Sequence, residues 1–356
     1  MSRVVTLGEI MGRVAMPGFK RFRQAMPGPV NVTFAGAEST VAASIAYLGG
    51  EASFVTALPK NDIADACVAN LRALGVDTQH ILRTDKGRLG LFFLEAGANQ
   101  RPSNVIYDRE GAAVALVRPE EYDWEAIFNG ATWFHLTGIT PALSQNAAEV
   151  SRTALREAAS RGLRISMDMN FRSKLWNWSP PLSARELAAR TMPDLLPFVT
   201  VFMGGCEDAA EMLGIRPGKD VGDPVLDVAR QIRARYPQMT HIATSLREAI
   251  SATHNNWGGL LYDSATDQAY RAPLRDGRYE PYAITDIVDR LGGGDAFAAG
   301  LIFALVTPEL SAPGTAVSFA VAAGCLSHSI EGDFNYSTRE EIEALMGGDS
   351  AGRVRR

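Results

Sequence analysis

Three consecutive glycines, Gly292 to Gly294, stand directly before Asp295, and the apolar run AFAAGLIFAL follows. Glycines at the head of a helix leave backbone N–H groups free to face an anion, because the first turn of a helix has no internal partners for its donors. Asp is also among the best N-cap residues. The two uses are compatible. Asp295 is read here as the helix cap and as a general base that accepts the proton of an attacking hydroxyl, while the glycine turn takes up charge on a transferred phosphoryl group.

Other polar residues gather where apolar strands end: Gly8 and Glu9, His135 to Gly138, then Asp168, Asn170 and Arg172, then Glu207 and Asp208. Ligands of open α/β sheets bind beyond the carboxyl ends of the strands, so the agreement of these segments matters more than any one of them. The elements that must position them alternate. Strand-like runs at VVTLGEI, ASFVTAL, ATWFHLTG, LRISMDMN, FVTVFMGG and THIAT are separated by helical spacing. Helices are expected over DIADACVANLRALGV with Asp62 as cap, from Ser144 to Arg161, near Ser183 to Thr191, and from Glu207. Others are expected from Asp223 to Tyr236, from Asp295 and from Ala312, and a hairpin around NNWGG. Continuous apolar strands between helices imply a mostly parallel sheet covered on both faces. Residues 12–37 and 88–114 break the rhythm with strand-like segments lacking an intervening helix, and read as a small β lid.

The bulk numbers narrow the partners. The chain has 356 residues, 46% of them hydrophobic and 21% charged, with a formal net charge of −5. That balance argues against a nucleic-acid or anionic-membrane surface. No run approaches the length of a membrane span or a signal-peptide core, so a soluble cytoplasmic protein is expected. Cys67, Cys206 and Cys325 are far apart and read as reduced thiols. The string Gly214 to Asp220 has the wrong spacing for a Walker A loop, and Phe297 occupies the last glycine position of a dinucleotide fingerprint. The five histidines lack metal spacing, and there is no Gly-x-Ser-x-Gly elbow. Phosphoryl transfer without a P-loop is what fits.

The string DRLGGGDAFAAG resembles the signature of the ribokinase-like sugar kinases, the phosphofructokinase B family. TLGEIM, FAGAESTVAASIAYLG, LTGITPALS and SMDMNFRSKLW extend the resemblance, most of all to 2-keto-3-deoxygluconate kinases. The resemblance implies a three-layer α/β/α sandwich with a mostly parallel central sheet: a core of residues 1–11, 38–87 and 115–347, the β lid, and a flexible tail at 348–356. It implies ATP and Mg²⁺, with a monovalent cation as a further candidate, and a homodimer or larger homo-oligomer formed through the lid. Asp295 would be the base and Gly292, Gly293 and Gly294 the anion hole. Gly36, Ala37, Glu38, Thr40, Phe92, Tyr107, Arg109 and Arg172 would bind the sugar or sugar acid, with arginines suited to a carboxylate. Asp168, Asn170, Thr244, Leu246 and Arg247 would face the nucleotide, and Glu207 would hold the metal through water.

Several residues depart from the family pattern. Thr40 stands where Asn is usual, Phe92 where Tyr is usual, and Gly204 where Asn or Ser is usual. Gly293 replaces Ala, Thr244 to Ala249 replaces a Gly-x-x-Gly turn, and Arg290 follows Asp289. An ATP-dependent kinase acting on a terminal hydroxyl of 2-keto-3-deoxygluconate or a relative is the leading expectation. A kinase for fructose, ribose or adenosine, and a weakened sugar- or nucleotide-binding regulator, are the alternatives. A nicotinamide dehydrogenase stands further off.

Overall fold

The computed structural model describes residues 2–348, so the tail expected from 348 lies, apart from Gly348, outside the described residues. Nine strands form the central sheet. From one edge the order is Gln268–Ala272, His254–Asp263, His241–Ser251, Val201–Met203, Arg164–Asp168, Ala131–Thr137, Arg3–Leu7 and Glu51–Val55, with Tyr282–Ile284 pairing beside His254–Asp263. The strands from His241–Ser251 through Glu51–Val55 run parallel, and the remaining pairs are antiparallel.

Successive residues of a strand point to opposite faces, and here both faces are dry. Val4, Phe54 and Trp133 join one apolar cluster with helices Ala37–Tyr47, Gly293–Val306 and Pro313–Ser327. Val5, Val55 and Phe134 join the other with helices Gln145–Ser160, Ala184–Leu195 and Pro224–Arg235. This is the expected three-layer sandwich. A separate four-stranded sheet, ordered Asn31–Ala35, Met11–Ala15, Gly90–Glu95 and Asn104–Asp108, is built from the two segments that broke the rhythm.

Local expectations needed correction where a side chain or a neighbour outranks the pattern. Asn61, not Asp62, caps the helix Asp62–Ala73, its side chain accepting from the Ala64 N–H at 2.9 Å. The helix after Ser183 runs on to Leu195, and the next begins at Cys206 rather than Glu207. The expected hairpin is present, with its reversal between Ser251 and His254, and NNWGG itself lies inside the returning strand His254–Asp263. Its glycines mark close approach instead. A Cβ on Gly259 would meet Val321 at 2.7 Å and Phe297 at 2.8 Å, and one on Gly258 would strike Tyr279.

The helix Gly293–Val306 is apolar on all sides and buried from Ala296 to Leu305, as expected of a helix enclosed in a core. It packs on Pro313–Ser327 through Gly300, where an added Cβ would lie 3.0 Å from the Ala320 Cα and 3.0 Å from the Ala323 Cβ. Gly300→Val is expected to overpack this contact and cost about 1–3 kcal/mol. Urea unfolding checks it: the midpoint should fall with an unchanged slope. An unchanged midpoint would show that the helices part at no cost.

Candidate active site

The glycine turn is the head of that buried helix, but its cap is not the expected one. Gly292 is the N-cap, in the left-handed region at φ 80°, and Asp295 is the third helical residue. A Cβ at Gly292 would collide with the backbone carbonyl of Asp333, so close packing as well as the positive φ demands glycine there. At Gly293 the Cβ would sit 2.8 Å from the His328 ring, which explains why even alanine would crowd this position. No side chain caps the helix, and Gly294 is exposed. The first-turn N–H groups are therefore offered to an anion beside a carboxylate.

The turn is held by residues that the sequence reading passed over. Asp289 accepts from the Leu291 N–H at 3.1 Å and from the Gly332 N–H at 3.2 Å, joining the turn to the loop beneath it. Arg13, buried on the small-sheet strand Met11–Ala15, pairs with both Asp289 and Asp333. Burial alone would push the Asp333 carboxyl up, and it stands at about 6 even with Arg13 opposing. Leu291 adds an apolar contact with the inner cluster of the small sheet. An arginine in an otherwise apolar strand was the available signal. Its partners are 276 and 320 residues away, beyond any spacing rule.

Carboxylates converge on the same point. Asp295 is half-buried, and its carboxyl is held well above the ordinary range, first by desolvation and then by Asp168, Asp333 and Glu38, with Arg172 opposing. Asp168, at a strand end, is pushed up to about 7 by burial and by Asp208. Glu38 is fully buried, its Oε1 accepting from the Thr137 N–H (3.1 Å), Thr137 Oγ1 (2.7 Å) and Thr140 Oγ1 (2.7 Å). Its other oxygen fills the space where a side chain on Gly8 would stand. Raised values of this kind mark groups poised to exchange protons near neutral pH.

The remaining expected residues fall in three places. Gly36 caps the helix Ala37–Tyr47, and a Cβ there would strike the Glu9 carbonyl. Ala37 opens that helix, and Thr40 is buried one turn on with its Oγ1 unpartnered. On the small sheet, Phe92 is buried with its ring 5.9 Å from Tyr107, which is exposed. Arg109 stacks over Tyr107 at 5.3 Å and pairs with buried Glu9, so it is neither solvated nor free. Around the strand ends, Asn170 has a left-handed φ of 40° and a buried, unpartnered Oδ1. Arg172 is exposed and donates only to the Phe171 carbonyl at 3.1 Å. Thr244 donates to the Gly204 carbonyl at 2.9 Å, Leu246 is half-buried against the core, and Arg247 is exposed. The segment Thr244 to Ala249 is not a turn but part of the strand His241–Ser251. Gly204 is explained by packing, since a Cβ would press on Met169 at 3.0 Å.

Glu207 is exposed in the first turn of its helix, and no group of three or more His, Cys, Asp or Glu side chains among the described residues is arranged to hold a metal. A cavity of about 1140 Å³ lies between Tyr282–Ile284 and the helices Pro313–Ser327 and Arg339–Met346. Ile284, Thr285, Leu326, Ser329 and Met346 are among its lining. Nothing in the spacing of these residues had announced it.

Asp168 also makes a stability test. Its folded value lies above its unfolded one, so the stability it contributes is present below about pH 4 and is lost as pH rises towards 7. Without ligands, Asp168→Asn should melt higher than the wild type at pH 8 and no higher at pH 4. Thermal unfolding at the two pH values checks this; equal gains at both would contradict the assigned burial.

Comparison with known proteins fits this geometry. The profile of the pfkB family carbohydrate kinases matches residues 1–335. A 2-dehydro-3-deoxygalactonokinase of Haloferax volcanii is 31% identical over 351 residues, covering 99% of this chain and 98% of the relative. The crystal structure of a 2-dehydro-3-deoxygluconokinase from Thermotoga maritima superposes with a TM-score of 0.88 at 38% identity, over 98% of this chain and 100% of that one. An Escherichia coli protein of the same fold, solved in complex with ATP and Mg²⁺, gives a TM-score of 0.75 at 19% identity, over 98% of this chain and 100% of that one. The chain belongs to the pfkB family of carbohydrate kinases.

Proposed function

We propose that this carbohydrate kinase transfers the γ-phosphoryl group of ATP to a terminal hydroxyl of 2-keto-3-deoxygluconate or a closely related sugar acid. The observation that carries the reading is Asp295, a carboxylate with elevated proton affinity in the uncapped first turn of a buried helix. The substrate oxygen forms the new P–O bond as the bond from the γ-phosphorus to the β-phosphate oxygen breaks. Asp295 takes the hydroxyl proton, and the N–H groups of Gly293 and Gly294 meet the charge on the moving phosphoryl oxygens. General-base work requires an ionised Asp295, and its raised proton affinity makes it the stronger base once ionised.

The acceptor would lie between the central sheet and the small sheet, near Gly36 to Thr40, with the small sheet as its lid. Two relatives named for 2-dehydro-3-deoxy sugar acids support an acidic substrate. Arg109 is tied up in an ion pair with Glu9, whereas Arg172 makes no ion pair among the described residues and is the better candidate for the carboxylate. The nucleoside end of ATP fits the cavity beside Tyr282–Ile284, whose apolar and hydroxyl-bearing lining suits a base and ribose. The residues also fit Mg²⁺ brought in with the nucleotide, because Asn170 Oδ1 is buried without a partner and Asp168 and Glu207 flank the strand ends. Mg²⁺ would offset phosphate charge there, held by phosphates and waters as that ion prefers. The outer face of the small sheet exposes Val32 and Ile106, which suits contact with a second copy of the chain.

The test is ADP release from ATP with keto-deoxy sugar acids, neutral sugars and nucleosides, repeated with Asp295→Asn. The acids should be preferred, and the variant should lose about 10²- to 10⁴-fold in turnover. An undiminished variant would remove Asp295 from the chemistry. Preference for fructose, ribose or adenosine would replace the substrate class while leaving the kinase in place.

A further inference from the structure

Arg290 and Arg247 are 43 residues apart by their sequence numbers, and neither has an acidic partner among the described residues. The strand register brings them together. Arg247 stands directly opposite Trp257, and directly opposed residues of an antiparallel pair share a face. Asn255 lies two residues before Trp257 on the same strand and so on the same face. Arg290 reaches the Oδ1 of buried Asn255 at 3.5 Å, a long contact, and the Nδ2 of that asparagine has no partner. Trp257 in turn packs edge-on against His328, with ring centroids 5.1 Å apart, and the His328 ring is what a side chain on Gly293 would strike. Both guanidinium groups therefore flank the glycine turn, with Arg290 only two residues before Gly292.

Neither guanidinium is held in an ion pair among the described residues, so both remain available to an anion that meets the helix N–H groups. The Arg247 side chain reaches solvent yet is partly desolvated, and that desolvation, with nearby Arg290 and Arg172, holds its guanidinium below its ordinary value. His328 is lowered by burial as well, with Arg247 and Arg290 adding to the effect. The segment that carries Arg247 is a regular strand, His241–Ser251.

We propose that Arg290 and Arg247 clamp the phosphate chain of the nucleoside polyphosphate donor, replacing backbone approach by guanidinium contacts. This rests on the kinase reading of the turn. The clamp explains why an arginine follows Asp289 in this chain. It also gives the donor a handle separate from Arg172, which is left for the acceptor.

The experiment compares wild type with Arg290→Met, Arg290→Lys and Arg247→Met, using calorimetric titration with ADP, adenosine and 2-keto-3-deoxygluconate alongside steady-state kinetics. Each methionine variant should lose about 10- to 100-fold in ADP affinity and in kcat/KM for ATP, the usual worth of a charged hydrogen bond. Adenosine affinity and the KM for the sugar acid should not move, and lysine at 290 should recover part of the loss. Arg247 is exposed, so its variant keeps the proposal testable should changes at 290 disturb folding. Unchanged ADP affinity would overturn the clamp. So would loss of sugar-acid binding with ADP affinity intact, which would assign these arginines to the substrate carboxylate. If the wild type turns over no acceptor, the kinase reading fails, while the ADP titration still decides the clamp.

Discussion

Asp289 and Asp333 are buried beside a turn that must attract anions, and a single guanidinium from the other sheet offsets them both. Arg13 is 4% exposed, and its partners are 8% and 12% exposed. Two buried carboxylates without a counter-ion would repel phosphate and destabilise the loops that carry them. Removing one partner of a buried pair costs about 3–5 kcal/mol, because the remaining charge stays out of water. Asp289 also anchors the Leu291 and Gly332 amides, and the Asp333 backbone walls in Gly292. The shape of the turn, the seat of the small sheet and the field at Asp295 thus depend on one interaction.

The acidic cluster costs stability for the sake of reactivity. Burial raises the proton affinity of Asp295 first, and Asp168, Asp333 and Glu38 raise it further. Glu38 escapes the full penalty through its bonds from Thr137 and Thr140. Asp295 has no such relief, which is the condition for a base that works near neutral pH. The opposite sign gathers a few residues away, at Arg172, Arg247 and Arg290. The acidic and basic groups around the turn are adjacent yet electrostatically distinct.

How much of this was legible in the sequence follows from the range of each interaction. The parallel sheet was visible because its strands are apolar on both faces, and the small sheet because its segments broke the helix–strand rhythm. Asp295 and its glycines were visible as a contiguous motif, but its place as third helical residue was not. Asp is a good cap by type, and only the structure shows that Gly292, walled in by the Asp333 carbonyl, takes the cap position and leaves the first turn without a side-chain cap. The hairpin around NNWGG was visible too, but the reason for its glycines was not: glycine serves turns and close approaches alike, and Phe297 and Val321 are remote in sequence. The pairing of Arg13 was invisible because its partners lie at the far end of the chain. Arg290 and Arg247 stood out as departures, and only the register across Trp257 unites them.

The central claim is that Asp295 works as a base whose proton affinity is raised by its surroundings. The direct measurement is the pH dependence of kcat/KM for the sugar acid at saturating ATP, in the wild type and in Asp295→Asn. The base must be ionised to accept a proton, so the wild-type rate should climb with pH through an apparent value above the ordinary carboxylate range, about 4. That limb should vanish in the variant's residual activity. A limb at the ordinary carboxylate value, or one that survives unchanged in Asp295→Asn, would contradict the account.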